Sequence, residues 1–253
     1  MSISWNDTPA AIWRQLKGHL RAVKTIDAIQ LDQLLGIEDQ KAALVRNTEK
    51  FIAGLPANNV LLWGSRGTGK SSLIKALLNR FFDQGLRIVE VDKDDLVYLP
   101  EIVDEIRDQP QRFIIYCDDL SFEAGEKTYK ALKSVLEGSI ESPPGNVLIY
   151  ATSNRRHLMP EYMSENLTSQ VVDTEIHHGE AIEEKISLSD RFGLWISFYP
   201  FNQDRYLEIV DHYFPNYSGD RKDLHRQAIQ FALQRGGRSG RAAYQFYKNS
   251  VEK

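Results

Sequence analysis

The stretch GSRGTGKSS, residues 64–72, spaces its residues as G-x-x-x-x-G-K-[ST], through Gly64, Gly69, Lys70 and Ser71. Each residue type answers a need of phosphate binding. Glycines let the backbone turn so tightly that successive N–H groups, from Gly64 through Ser65, Arg66, Gly67, Thr68 and Gly69, point inward at phosphate oxygens. A helix starting at Lys70, Ser71 and Ser72 adds the positive end of its dipole. Lys70 then bridges the outer phosphates as a point charge, and the Ser71 hydroxyl becomes a Mg²⁺ ligand. With glycine at its usual frequency, the pattern arises by chance in about one chain per hundred of this size.

Two more stretches carry chemistry of the same kind. FIIYCDDL ends an apolar run with two carboxylates. Asp118 is placed to hold Mg²⁺ through a water, and Asp119 to orient or deprotonate an attacking water. Alone, such a pair is equally a solvated strand end, and the phosphate loop upstream is what favours the metal. IYATSN ends another run, where the Asn154 amide would hold the water or sense loss of the γ-phosphate, with Thr152 as a second candidate. In SLSDRFGLW, Arg191 stands just before an apolar run, where a charge is costly to bury unpaired. It pairs either within the chain, with Asp190 or Glu184, or with something outside it.

These groups need a scaffold that sets strand ends side by side. Apolar runs at 59–63, 86–91, 112–117, 146–151 and 194–199 read as strands, with helical patterns near 69–83, 98–108, 126–138 and 178–188. That alternation predicts an α/β fold: a five-stranded parallel sheet with helices on both faces, three layers in all. Residues 203–214, 221–235 and 239–250 all read as helix, separated by PNYSGD and GGRSG, and predict a small all-α lid. The division expected is a helical extension over 1–30, a core over 31–201 with an exposed insertion at about 157–186, and the lid over 202–253.

Bulk properties narrow the function classes. With 42% hydrophobic and 26% charged residues, the 253-residue chain has ample core to fold unaided. No apolar run reaches the eighteen residues of a membrane span, and MSISWNDTPAAIW lacks the marks of a secretory signal, which together predict a cytoplasmic address without membrane partners. Cys117, the single cysteine, excludes a disulfide framework and reads as a small buried hydrophobe. A net charge of −4 argues against coating nucleic acid by bulk electrostatics, although residues 221–253 carry eight Lys or Arg against two carboxylates. His177 and His178 lack further ligands at metal-binding spacing and read as loop residues.

A phosphate loop, an acidic strand tip, a strand ending in Asn, an arginine before the last strand and a helical lid: this order resembles the AAA+ ATPases. The stretches ANNVLLWGSRGTGKSSLIKALL, CDDLSFE, LIYATSNRRHLMPEYM and EEKISLSDRFGLWISFYPF are similar to one bacterial AAA+ family, a domain of unknown function numbered 815. The resemblance runs over about residues 31–250. It implies a P-loop NTPase fold, ATP and Mg²⁺ as ligands, and a homo-oligomeric ring such as a hexamer. It also implies hydrolysis of ATP to ADP and phosphate to remodel or load a client, protein or nucleic acid, that the sequence does not identify. By position, Leu35, Gly36 and Ile37 match the adenine-packing segment, Gly64–Ser72 the Walker A loop, Asp118 and Asp119 Walker B, and Asn154 sensor one. Arg241, with Arg238 beside it, matches the lid arginine that reaches the γ-phosphate from the same subunit. Arg191 matches the arginine that enters the ATP site of the adjacent subunit.

The sequence departs from that family pattern in two places. Asp119 stands where glutamate is usual, one methylene shorter, with Glu123 as a substitute one turn on. The separation of 37 positions between Asn154 and Arg191 exceeds a plain core. Arg155 and Arg156 face a neighbouring subunit or cap a surface helix. Two other functions stay open: a slow nucleotide-gated adaptor, and a P-loop phosphotransferase that passes phosphate to a small acceptor.

Overall fold

Runs of β-branched, aromatic and leucine residues bounded by turn residues build the sheet. The computed structural model describes residues 3–122, 132, 133, 135, 136, 144–156, 158 and 190–250. Its strands are β1 (Ala10–Arg14), β2 (His19–Ala22), β3 (Val60–Gly64), β4 (Leu86–Glu90), β5 (Arg112–Cys117), β6 (Val147–Ser153) and β7 (Leu194–Phe198). They form one sheet in the order β2-β1-β4-β5-β6-β3-β7. Every pairing is parallel except β1 with β2. The three-layer α/β class therefore holds, with seven strands where the apolar runs predict five.

The two additional strands come from the N-terminal segment that the sequence reads as helix. Trp13, Leu16, Leu20 and Val23 have helical spacing, yet Leu16 is fully exposed. Trp13 and Leu20 instead face each other across the hairpin. Gly18, at φ +57°, turns the chain between them in a conformation that costs glycine little. What overrides the helical pattern is the open edge of β4, where β1 satisfies a row of backbone groups. Arg87 of β4 fastens this addition. Its side chain is buried and donates to the carbonyls of Trp5 (2.6 Å), Asn6 (3.0 Å), Phe82 (2.9 Å) and Leu86 (2.7 Å). Composition and spacing assign Arg87 no such role.

Strand residues alternate between two cores. Val60, Leu62, Ile88, Ile114 and Tyr150 point to one face, and Leu61, Val89, Phe113, Ile115 and Cys117 to the other. The first face is covered by α1 (Glu38–Ile52) and α2 (Lys70–Phe81), the second by α3 (Leu99–Ile106) with Trp5 and Trp13. In α2 the residues Leu73, Ile74, Leu77, Leu78 and Phe81 recur at helical spacing and are all buried. Cys117 is buried as expected, and burial pushes its thiol up to about 12, which makes it inert at neutral pH.

After β7 the chain forms α4 (Gln203–Tyr213), α5 (Arg221–Gln234) and α6 (Gly240–Ser250). Asn202 and Asp220 cap the first two through the amides of Arg205 (2.8 Å) and Lys222 (2.9 Å). Tyr206, Val210, Leu224, Ala228, Ala243 and Phe246 belong to the same apolar cluster as the α1–α2 face. That continuity lays α6 against the loop between β3 and α2.

Candidate functional site

The loop leaves β3 at Gly64 and enters α2 at Lys70. Gly64 adopts φ +124°, and a Cβ there would stand 2.0 Å from the Phe198 carbonyl oxygen. Only glycine lets β3 close on β7, where the Ser65 amide donates to that same oxygen at 2.8 Å. Thr68 Oγ1 donates to the Ser65 carbonyl at 2.8 Å and narrows the bend. Lys70 turns its ammonium back into the bend, donating to Gly64 O (2.7 Å), Ser65 O (2.8 Å) and Asn154 Oδ1 (3.3 Å).

Burial lowers the Lys70 pKa from 10.5 to about 8, against the pull of Asp119 and Asp118. The folded value lies below the ordinary one, so the charged lysine destabilises the ligand-free fold fully below about pH 8, and that penalty is relieved as pH rises from 8 to 10.5. Phosphates placed at the ammonium would favour its charged form and raise the pKa again. Nucleotide binding near pH 9 is therefore expected to take up a proton. Affinity should fall as pH rises through 8, by at most about tenfold per unit. Calorimetry in two buffers of different ionisation enthalpy measures the uptake; a heat independent of buffer and an affinity flat with pH would contradict it.

Asp118, Tyr116, Thr152 and Asn154 share a face because each strand alternates, and the parallel register of β5 with β6 aligns their ends. Ser71 Oγ, from the first turn of α2, donates to Asp118 Oδ1 at 2.8 Å, and Thr152 Oγ1 donates to the same oxygen at 2.5 Å. Burial acts to raise the Asp118 pKa, but the Thr152 hydroxyl, the nearby Tyr116 phenol, the Ser71 hydroxyl and the Asp119 amide outweigh it and hold the carboxylate below its usual value. Thr152 also accepts from the Asp119 amide at 2.9 Å, so this second candidate organises both acids. Asp119 has φ +50°, the only positive φ among the described non-glycine residues. Its carboxylate accepts from Asn154 Nδ2 and lies 3.9 Å from Arg66, a solvent-exposed contact of small energy. The Ser71 hydroxyl and the Asp118 carboxylate are hard oxygen donors, which suit Mg²⁺ when phosphates and waters complete its shell.

Beside the loop lies a cavity of about 220 Å³. Of the three residues assigned to the adenine segment, Gly36 and Ile37 line it, while Leu35 packs against the core. Gln40, the run from Phe198 to Asn202, and Arg205 supply the rest. The aromatics of FYPF have a spacing that suits lid packing better than base stacking, and the pairing of β7 beside β3 brings them to the mouth of the loop. Arg205 crosses to Glu38 at 2.8 Å and ties α4 to the start of α1.

The arginines separate into two groups. The Arg241 amide donates to the Gly67 carbonyl at 3.2 Å, and its positive charge helps depress the Lys70 pKa. Arg238 touches the cavity edge through its carbonyl, which accepts from the Phe201 amide at 3.3 Å. Arg191 is exposed and lies elsewhere. Leu194 is in register with Val60, the first residue of β3, so Arg191 sits at the end of the sheet opposite Gly64. Arg156 lies over the Trp63 ring at 5.6 Å. Glu123, Glu184, His177 and His178 lie outside the described residues, as do the helical pattern at 178–188 and that at 126–138 apart from residues 132, 133, 135 and 136, which are helical. No helix among the described residues is long and apolar enough to cross a membrane.

No curated protein matches the chain. Among solved structures, the RuvB Holliday junction branch migration motor of Thermotoga maritima superposes with a TM-score of 0.52 at 14% identity, over 87% of this chain and 63% of that one. An alanine-to-serine variant of that motor gives 0.54 at 16% identity, with the same coverage. At such identity the likeness shows the fold, and the chain spans less than two thirds of the length of these neighbours. The family model described as "Protein of unknown function (DUF815)" matches residues 6–253, and the chain belongs to that family.

Proposed function

We infer that this protein binds ATP with Mg²⁺ in the bend between β3 and α2 and hydrolyses it to ADP and phosphate. The observation that carries this reading is the convergence of Lys70, Ser71, Asp118, Thr152 and Asn154 on the mouth of one glycine-built bend. The chain's own groups divide the work. Lys70 exchanges loop carbonyls for phosphate oxygens, and Ser71 and Asp118 hold Mg²⁺, which neutralises charge on the phosphates. Asp119 positions the attacking water, and Asn154, already bonded to both Lys70 and Asp119, relays phosphate occupancy between them. Gly36, Ile37 and the Phe198–Asn202 run receive the base, with Arg241 contributing charge from α6.

Arg191 is the residue this site leaves outside. Leu194, three residues on, pairs with the first residue of β3, and β3 spans about 13 Å at the rise of a strand before it reaches the loop. We assign it to the ATP site of a neighbouring copy, which makes a homo-oligomeric ring, such as a hexamer, the active form. ATP turnover in that ring would remodel or load a macromolecular client. The fold is shared with a motor acting on Holliday junctions, but fold likeness does not choose between nucleic acid and protein.

A slower, switch-like use of ATP draws support from Asp119, which is shorter than glutamate and already engaged by Asn154 and Arg66. Calorimetric titration with ATP and Mg²⁺, followed by phosphate release across protein concentrations, tests both. Saturable binding with turnover that accelerates as protein concentration rises supports the ring ATPase. Tight binding with turnover below about one per second at every concentration supports the switch. Phosphate found on an acceptor instead of free would favour a phosphotransferase, and absence of binding overturns all three.

A further inference from the structure

Tyr116 occupies the position two residues before Asp118, on the same face of β5 and one pleat deeper. On that face it stands in register with Glu90 of β4 and Tyr150 of β6, with Ile114 and Ile88 one pleat deeper. The residue is 4% exposed, and its buried hydroxyl oxygen makes no hydrogen bond of good geometry, although Ser71 and Asp118 lie close by. The protein does not treat its other buried phenols this way. Tyr150 meets Asn47 and Thr48, both at 3.0 Å, and Tyr206 donates to the Ala228 carbonyl at 3.0 Å. Among the described residues, the other unpartnered buried side-chain atoms, on Trp13, Gln111 and Asn146, belong to the opposite face or to the far ends of strands. Among the described buried phenols Tyr116 is thus the exception: its hydroxyl lies near enough to Ser71 and Asp118 to act on that carboxylate, yet makes no well-formed hydrogen bond to either.

A buried polar group without a partner calls for a second state in which it has one. Asp118 supplies that state. Ser71 and Thr152 both donate to Oδ1 of the carboxylate. When Ser71 turns its oxygen to a divalent cation, that carboxylate loses part of its restraint just as its orientation matters most. We propose that Tyr116 is a positioning residue for the Mg²⁺–nucleotide state, its hydroxyl donating to the Asp118 carboxylate once Ser71 is committed to the cation. This rests on the nucleotide reading above and adds to it a group that no spacing rule selects. Residues that orient a metal's ligands without touching the metal typically change its affinity by ten- to a hundredfold when removed.

Tyr116→Phe deletes only the oxygen and keeps the packing. Three measurements on the full chain then separate the outcomes. Fluorescent ATP analogue binding in EDTA should be unchanged. Mn²⁺ binding to the nucleotide-loaded protein, followed by electron paramagnetic resonance, should weaken at least about tenfold. Thermal melting without metal should match or exceed that of the unaltered protein, since an unpaired buried hydroxyl is removed, while the variant should gain less from added Mg²⁺ and ATP. Equal Mn²⁺ affinity in the two proteins overturns the assignment and leaves the nucleotide site standing. A lower melting temperature without metal, or weaker binding in EDTA, overturns it as well, since the hydroxyl would then be structural. If the unaltered protein binds no nucleotide, the reading beneath the proposal fails, and the proposal with it.

Discussion

Replacing Lys70 with alanine is expected to remove ATP turnover, by a factor on the order of a thousand, and to weaken binding of the Mg²⁺–ATP complex about ten- to a hundredfold. The reason is visible in the ligand-free site. Nothing else in the bend carries a charge at the depth of Lys70, whose ammonium already sits on the carbonyls of Gly64 and Ser65. The bend is shaped around a cation, and phosphate oxygens offer it stronger partners than two carbonyls and an amide oxygen. Arginine is no substitute there, because its planar fork needs room that a space closed by Thr68 and Ser65 does not offer. Phosphate release by the variant within tenfold of the unaltered rate would remove the lysine from the mechanism.

Arg191→Ala is expected to leave ATP binding unchanged while lowering assembly-dependent turnover by about a thousandfold or more, the scale on which arginine fingers act. The two effects separate because the residue and the loop lie at opposite ends of the sheet in one copy. Mixing makes the test sharper. A Lys70→Ala copy has a dead loop and an intact Arg191; an Arg191→Ala copy has the reverse. Each mutant alone is inactive, but a mixed ring contains interfaces in which an intact loop meets an intact arginine. Recovery of part of the turnover on mixing is expected. Recovery in neither order, or loss of ATP binding by Arg191→Ala alone, would place Arg191 in the stability of its own subunit.

The bend was legible because its chemistry is local. Gly64, Gly67, Gly69 and Lys70 lie within seven consecutive residues, and the positive φ of the glycines is a property each carries alone. The strands that hold Asp118 and Asn154 were legible for a similar reason, since buried parallel strands announce themselves as short apolar runs. The N-terminal segment was not. Trp13, Leu16 and Leu20 satisfy a helical period and a hairpin equally well, and the choice depended on an open edge at β4, seventy residues away. The aromatic side of the cavity was missed on the same grounds, because Tyr199 and Phe201 reach the loop only through the pairing of β7 with β3.

By itself, then, the chain determined which groups could meet a phosphate and a cation, for those groups lie in short runs whose backbone preferences are intrinsic. Only the tertiary structure decided which of them meet. It set Thr152 at the junction of both acids, placed a buried phenol near Asp118, brought the Arg241 amide onto the loop and carried Arg191 to the far end of the sheet. Strand order and register are settled by burial and by the pairing of backbone groups far apart in the chain, and no window of neighbouring residues contains that information.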